Sequence, residues 1–171
     1  MTRETEAMND NAPSRLGPVT ATLVAALPVV VAAVIGNRAT LPAIPEWYAG
    51  LAKPAITPPN WVFGPVWTTL YVAMIVAFRR ILLGRRDPGR GLAIALFLGQ
   101  MALNAFWSVA FFGLRSPGAG VVVILMLDVA VAATIAAFLR RDRVAGLLLV
   151  PYLAWIGWAT ALNTGVWWLA R

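Results

Sequence analysis

The sequence predicts an all-α fold, an integral membrane bundle of five transmembrane helices. Three observations carry that expectation. Hydrophobic residues make up 60% of the 171 positions and charged residues only 12%, with a mean hydropathy of +0.76, against about 45–50% apolar and about 25% charged in soluble domains. Five apolar runs reach the roughly 20 residues that a helix needs to cross about 30 Å of hydrocarbon. The alternating segments of a membrane barrel are missing, and lipid cannot satisfy free backbone groups, so the spans must be helical.

The elements follow in chain order. Residues 1–16 are polar and read as a disordered cytoplasmic tail. A cleaved signal peptide is not expected there, because Glu4, Glu6 and Asp10 outweigh Arg3 and Arg15 and leave no basic leader. The single membrane domain then covers 17–171. Its first span, about 17–36, is rich in Ala and Val and is interrupted by Pro28. A long connection over 37–58 follows, and its last part is stiffened by Pro54, Pro58 and Pro59, which fix φ and remove backbone donors. This connection is a candidate lid. The second span, about 59–83, carries Pro65. The third, fourth and fifth cover about 91–113, 118–139 and 144–169, separated by Pro117-Gly118 and by Arg140-Arg141-Asp142-Arg143. Connections this short make neighbouring helices antiparallel.

The net charge of +7 would suggest nucleic acid in a soluble chain, but here the bases cluster between apolar runs and act as topology signals. No nucleic-acid partner is expected; the partner is the lipid bilayer. Arg3, Arg15, Arg79, Arg80, Arg85, Arg86, Arg90, Arg140, Arg141 and Arg143 fall on one side, and Arg38, Lys53, Arg115 and Arg171 on the other. That asymmetry places the N-terminus in the cytoplasm and the C-terminus, with the aromatic-proline connection, in the periplasm of a bacterial inner membrane.

The chain has no cysteine and no histidine, so thiol chemistry, zinc or iron–sulfur binding and the commonest haem ligands are excluded by composition. Asp128 is the only acid within a span, so neither a paired-carboxylate site nor a Ser-His-Asp triad can be built there. An acid at that depth faces a cavity, a proton path or a partner helix, and the alanines at 130, 133 and 137 suggest a helix–helix or dimer interface.

Rings and amides recur at helical spacing. Phe63, Trp67 and Tyr71 fall at i, i+4 and i+8 on the second span. Gln100, Asn104, Trp107 and Phe111 form a stripe on the third with Ser108 beside it, and Tyr152, Trp155, Ala159 and Asn163 form one on the fifth. Each stripe taken singly is what ordinary helix packing or interfacial anchoring produces. Three together match the lining of a site for a flat, mostly apolar ligand, since indoles supply wide polarisable faces and amides a few fixed hydrogen bonds.

The pattern W-Y-x-x-L-x-K-P-x-x-x-P-P-x-W-V-F-x-P-x-W-x-x-L-Y from Trp47 to Tyr71, followed by Q-x-x-x-N-x-x-W-S-x-x-F-F-G and V-P-Y-L-x-W-x-x-x-A-x-x-L-N, resembles the TspO/MBR family. The resemblance covers roughly 18–170. It implies a five-helix bundle, usually a homodimer, that binds tetrapyrroles such as protoporphyrin IX and haem and, in some members, cholesterol and benzodiazepine-type ligands. By motif position it implies pocket residues at Trp47, Tyr48, Pro58, Phe63, Trp67, Tyr71, Asn104, Trp107, Trp155 and Ala159. Trp67 and Trp155 stand where some bacterial relatives link two tryptophans to light- and oxygen-dependent porphyrin breakdown. No cofactor is required, and a bound haem would lack a His or Cys axial ligand. The resemblance to sterol-binding members is incomplete, because the last helix lacks a tyrosine after Asn163. Expected function is therefore that of a tetrapyrrole receptor with a regulatory role, the alternative being a transporter of porphyrin intermediates or sterols.

Overall fold

The computed structural model describes residues 16–170, and the expected tail lies, up to residue 15, outside the described residues. Among the described residues the chain is all helical, with five stretches long and apolar enough to span a membrane. Helix α1 is Pro18–Thr40, α2 is Phe63–Leu83, α3 is Pro88–Ser108 and α4 is Pro117–Leu139. The fifth span is built from α5, Arg143–Leu148, and α6, Val150–Leu169.

Pro28 and Pro65, expected to interrupt their spans, do not. Pro28 sits inside a continuous α1, where neighbouring helices and small local adjustments absorb the missing donor. Pro65 lies in the first turn of α2, where its missing N–H would have had no helical partner.

The first span also runs further than the expected 17–36. A 3-10 turn at Leu41–Ala43 and a π turn at Ile44–Tyr48 continue α1, and the winding changes where Pro42 and Pro45 withdraw their donors. The non-helical part of the connection is therefore residues 49–59. It closes on itself, with the Thr57 amide and hydroxyl both donating to the Pro54 carbonyl, at 3.0 and 2.8 Å. Lys53 donates to the carbonyls of Ala49 and Leu51, each at 3.2 Å, and lies 4.7 Å from the centroid of the Tyr48 ring.

Helix α1 packs on α2 and α3, α3 on α4, and α4 on both α5 and α6; α2 reaches the fifth span through α5. The bundle therefore closes in the order first, second, fifth, fourth, third. Small residues make the α1 contact close, since Ala21, Ala25, Val29 and Ala32 recur along one buried stripe.

The two ends of the bundle differ. At the basic end Phe97 stacks on Phe78 with ring centroids 4.1 Å apart and on Phe138 at 5.9 Å, within one buried apolar cluster. The connections there are tied by side chains. Arg90 donates to the carbonyls of Ile81 and Leu82, at 3.2 and 2.6 Å, which satisfies the end of α2. Arg141 pairs with Asp87, the residue that caps α3 by accepting from the Gly89 amide at 3.0 Å. Asp142 caps α5 through the Ala145 amide at 3.0 Å and takes Arg80 at 2.8 Å. Desolvation works against ionising Asp142, but the Ala145 and Val144 amides and the Arg80 guanidinium outweigh it and hold the carboxyl below the usual carboxylate range. At the other end α2 and α6 face each other through rings, and the interior is hollow.

Candidate functional site

The hollow end contains a cavity of about 680 Å³, well inside the roughly 300–1,000 Å³ of small-molecule sites. Four helices and the connection line it. Phe63, Trp67 and Tyr71 descend one face of α2, because four residues make little more than one helical turn. Trp155, Ala159 and Asn163 come from α6, and Trp107, Ser108 and Phe111 from the end of α3 and its π turn at Val109–Gly113. Tyr48 and Thr57 supply the connection's share.

The rings meet in three groups around the cavity. Phe63 meets Trp155 edge-on at 5.8 Å between centroids, Trp67 lies 5.3 Å from Tyr71 and 6.2 Å from Tyr152, and Trp107 stacks on Phe111 at 5.8 Å. Hydrogen bonds behind the rings set their positions. The Tyr71 hydroxyl donates to Asn104 Oδ1 at 3.4 Å, and Asn104 Nδ2 donates to the Tyr152 hydroxyl at 3.0 Å. Trp107 Nε1 donates to Asn163 Oδ1 at 3.1 Å.

Of the ten residues expected at the site, Tyr48, Phe63, Trp67, Tyr71, Trp107, Trp155 and Ala159 line the cavity, while Trp47, Pro58 and Asn104 do not. Trp47 packs from behind, edge-on to Phe111 at 5.5 Å and to Phe112 at 6.3 Å. Pro58 is half-buried in the connection next to the lining Thr57. Asn104 is buried behind Tyr71 and acts on the cavity through that hydroxyl.

Sequence reasoning missed the wall from α1, where Ala33, Asn37, Thr40, Leu41 and Ile44 face the cavity. Asn37 and Thr40 are the available signal, two polar positions three residues apart at the end of an apolar run. Among the described residues no lysine, arginine, aspartate or glutamate lines the cavity. Its chemistry is that of ring faces and neutral hydrogen-bonding groups.

Asp128 is not part of it. Its Oδ2 accepts from Thr160 Oγ1 at 2.8 Å, so the acid lies at the contact of α4 with α6 within one chain, while Oδ1 is buried without a hydrogen-bond partner. Gln100, expected on the same stripe as Asn104, is buried and does not line the cavity, and neither amide atom has a partner among the described residues.

The model of the TspO/MBR family matches residues 24–169 of this chain. The chain is 44% identical over 135 residues to the tryptophan-rich protein TspO of Archaeoglobus fulgidus, covering 77% of this chain and 84% of that one. It is 44% identical over 124 residues to the human translocator protein, covering 71% and 73% of the two chains. It is 42% identical over 118 residues to the tryptophan-rich sensory protein of Cereibacter sphaeroides, covering 69% and 73%.

Proposed function

This chain belongs to the TspO/MBR family of integral membrane proteins, and from that premise we propose that it is a receptor for a flat, mostly apolar ligand of the tetrapyrrole class, protoporphyrin IX or haem, with a regulatory role in tetrapyrrole or stress physiology. One observation carries the reading: indoles and phenols from α2, α3 and α6 converge on a single uncharged cavity of about 680 Å³. Ring faces hold a macrocycle by dispersion and quadrupole contacts without needing a metal ligand. The metal-free porphyrin suits the lining better than haem does, since among the described residues Tyr48 and Tyr71 are the only phenols that line the cavity, and the Tyr71 hydroxyl is already turned to Asn104.

The same reading extends to light-dependent porphyrin degradation. An excited porphyrin generates reactive oxygen, and Trp67 and Trp155 lie on the wall where an indole would take it up. The macrocycle supplies the photochemistry and the protein supplies position. We place the protein in a bacterial inner membrane with its basic end in the cytoplasm, and as a homodimer. Transport of porphyrins or sterols is the alternative reading, and the continuity of α1 through Pro28 speaks against it, since transporter sites usually form at broken helices.

The test is tryptophan fluorescence of the purified protein in detergent, titrated in the dark with protoporphyrin IX beside the Trp67→Phe/Trp155→Phe variant. Saturable quenching that weakens at least several-fold in the variant is the expected result, and loss of porphyrin absorbance under light would then establish turnover. Linear quenching, identical in both proteins, would remove the tetrapyrrole reading. Accumulation of porphyrin inside proteoliposomes would favour transport instead.

A further inference from the structure

The basic end of the bundle holds more cations than the fold uses. Among the described residues eight arginines gather there against two acids, Asp87 and Asp142, which leaves a net charge of +6. Arg80 and Arg141 take the two carboxylates, Arg90 closes α2 through the Ile81 and Leu82 carbonyls, and Arg79 donates to Thr22 Oγ1 at 2.8 Å. The other four, Arg85, Arg86, Arg140 and Arg143, make no ion pair or hydrogen bond among the described residues. Arg86 Nε and Arg141 Nε are buried there without a partner, and each carries the cost of an unmade hydrogen bond.

The fold draws these cations together. Arg141 pairs with Asp87, and its guanidinium lies so near Gly89 that a Cβ there would collide with it, which locks the start of α3 against the end of α4. Arg86 precedes Asp87 in one connection and Arg140 precedes Arg141 in the other, so the two flank this joint. The Arg80 pair with Asp142 ties the start of α5, with Arg143 as its first residue, to α2. Like charges held this close repel one another, and the repulsion falls when an anion is seated among them.

Beside the patch the surface is apolar. Leu139 precedes Arg140, and Val144, Leu147 and Val150 continue from Arg143 along the fifth span, all four exposed. Arg143 and Leu147 stand four residues apart and share one face of α5. Exposed cations above an exposed apolar track fit an amphiphile with an anionic head. A topology signal needs positive charge alone, which lysine supplies as well, yet all eight bases here are arginine and the only lysine of the chain, Lys53, stands at the other end. Guanidinium groups are planar forks that match two oxygens of one phosphate.

We propose that Arg86, Arg140 and Arg143 form a binding site for the phosphate of an anionic glycerophospholipid, whose acyl chains lie along Leu139, Val144 and Leu147. The site stands at the opposite end of the bundle from the ring-lined cavity and does not depend on how that cavity is read.

The experiment is native mass spectrometry of the delipidated full chain in detergent, titrated with phosphatidylglycerol or with phosphatidylcholine of the same acyl chains. Phosphatidylglycerol is expected to bind about tenfold more tightly than phosphatidylcholine. Arg140→Gln/Arg143→Gln removes that preference, whereas Arg38→Gln/Arg115→Gln, which discards the same charge at the other end, keeps it. Arg86→Lys, which keeps the charge and loses the fork, weakens phosphatidylglycerol several-fold. Arg140 and Arg143 bond to nothing in the described fold, so the lipid-free unfolding midpoint of their variant stays at the native value and a folding defect does not imitate the result. Equal binding of the two lipids overturns the proposal, as does a preference that survives Arg140→Gln/Arg143→Gln or falls equally in the variant at the other end. Inorganic phosphate binding as tightly as phosphatidylglycerol would make this a site for a soluble anion and overturn the lipid assignment. A preference that emerges only after deletion of residues 2–15 would assign the arginines to Glu4, Glu6 and Asp10 of the chain itself and overturn it too.

Discussion

Trp107 and Asn163 join α3 to α6 through a single hydrogen bond, indole N–H to amide oxygen, of 3.1 Å. The other end of the amide donates to the Pro117 carbonyl at 2.8 Å, so one side chain ties three helices at the hollow end of the bundle. Gly120 completes the joint, because a Cβ there would stand 2.6 Å from Asn163 Oδ1 and 2.8 Å from the Phe111 ring. Asn163→Leu is expected to lower stability in detergent by about 1–2 kcal/mol, the scale of buried interhelical hydrogen bonds. Gly120→Ala should lower it as well by forcing the amide aside. Thermal unfolding of both variants checks this, and unchanged midpoints would mean that ring packing alone holds the hollow end.

The Asp128–Thr160 pair makes a different prediction. Thr160 Oγ1 lies 2.8 Å from Asp128 Oδ2 and 2.9 Å from the Ile156 carbonyl. Removing only the threonine hydroxyl strands the acid, whereas replacing both partners by apolar groups leaves nothing unsatisfied. Thr160→Val should therefore be less stable than Asp128→Leu/Thr160→Val, with a coupling of about 0.6–2 kcal/mol. Additive effects in a double-mutant cycle would mean the bond contributes nothing. Because the contact lies within one chain, Asp128→Leu is expected to leave oligomeric size unchanged.

Asp142 makes stability depend on acid. Its carboxyl is held below the usual range in the folded state, so its contribution is fully present above its unfolded value of about 4 and is lost as pH falls through the lower folded value. Unfolding midpoints measured between pH 7 and pH 2 should fall in that window for the native protein. Asp142→Asn should flatten that part of the curve while keeping an acceptor for the Ala145 amide. Asp142→Ala also removes the cap and should cost about 0.5–2 kcal/mol at pH 7. Identical pH profiles for the native protein and Asp142→Asn would assign the acid sensitivity elsewhere.

Gly165 seats the connection on α6. A Cβ on Gly165 would collide with the Pro54 ring, so Gly165→Ala should lift the segment around Pro54 while leaving the bundle intact. Hydrogen exchange of residues 49–59 is the measurement. Several-fold faster exchange there with an unchanged unfolding midpoint is expected; unaltered exchange would mean that the connection is held by Lys53 and Thr57 alone.

The ring stripe on α2 was legible because it needs only the period of one helix: Phe63, Trp67 and Tyr71 share a face wherever that helix packs. Asn104 was legible as a polar position but not as a supporting one, since distance from the cavity depends on which ring stands in front of it. The α1 wall carried no ring motif and was not read at all.

What the sequence by itself determined is the environment and the local geometry. Composition requires lipid, lipid requires helices, and run lengths set five spans. What only the tertiary structure decided is which faces meet. The order first, second, fifth, fourth, third brings α1 opposite the rings of α2 and α6. It also pairs Asp128 with Thr160 at the contact of α4 with α6. The physical reason is that a helix repeats its own faces locally, whereas the partner of each face is set by long-range packing among apolar surfaces that the sequence makes nearly alike.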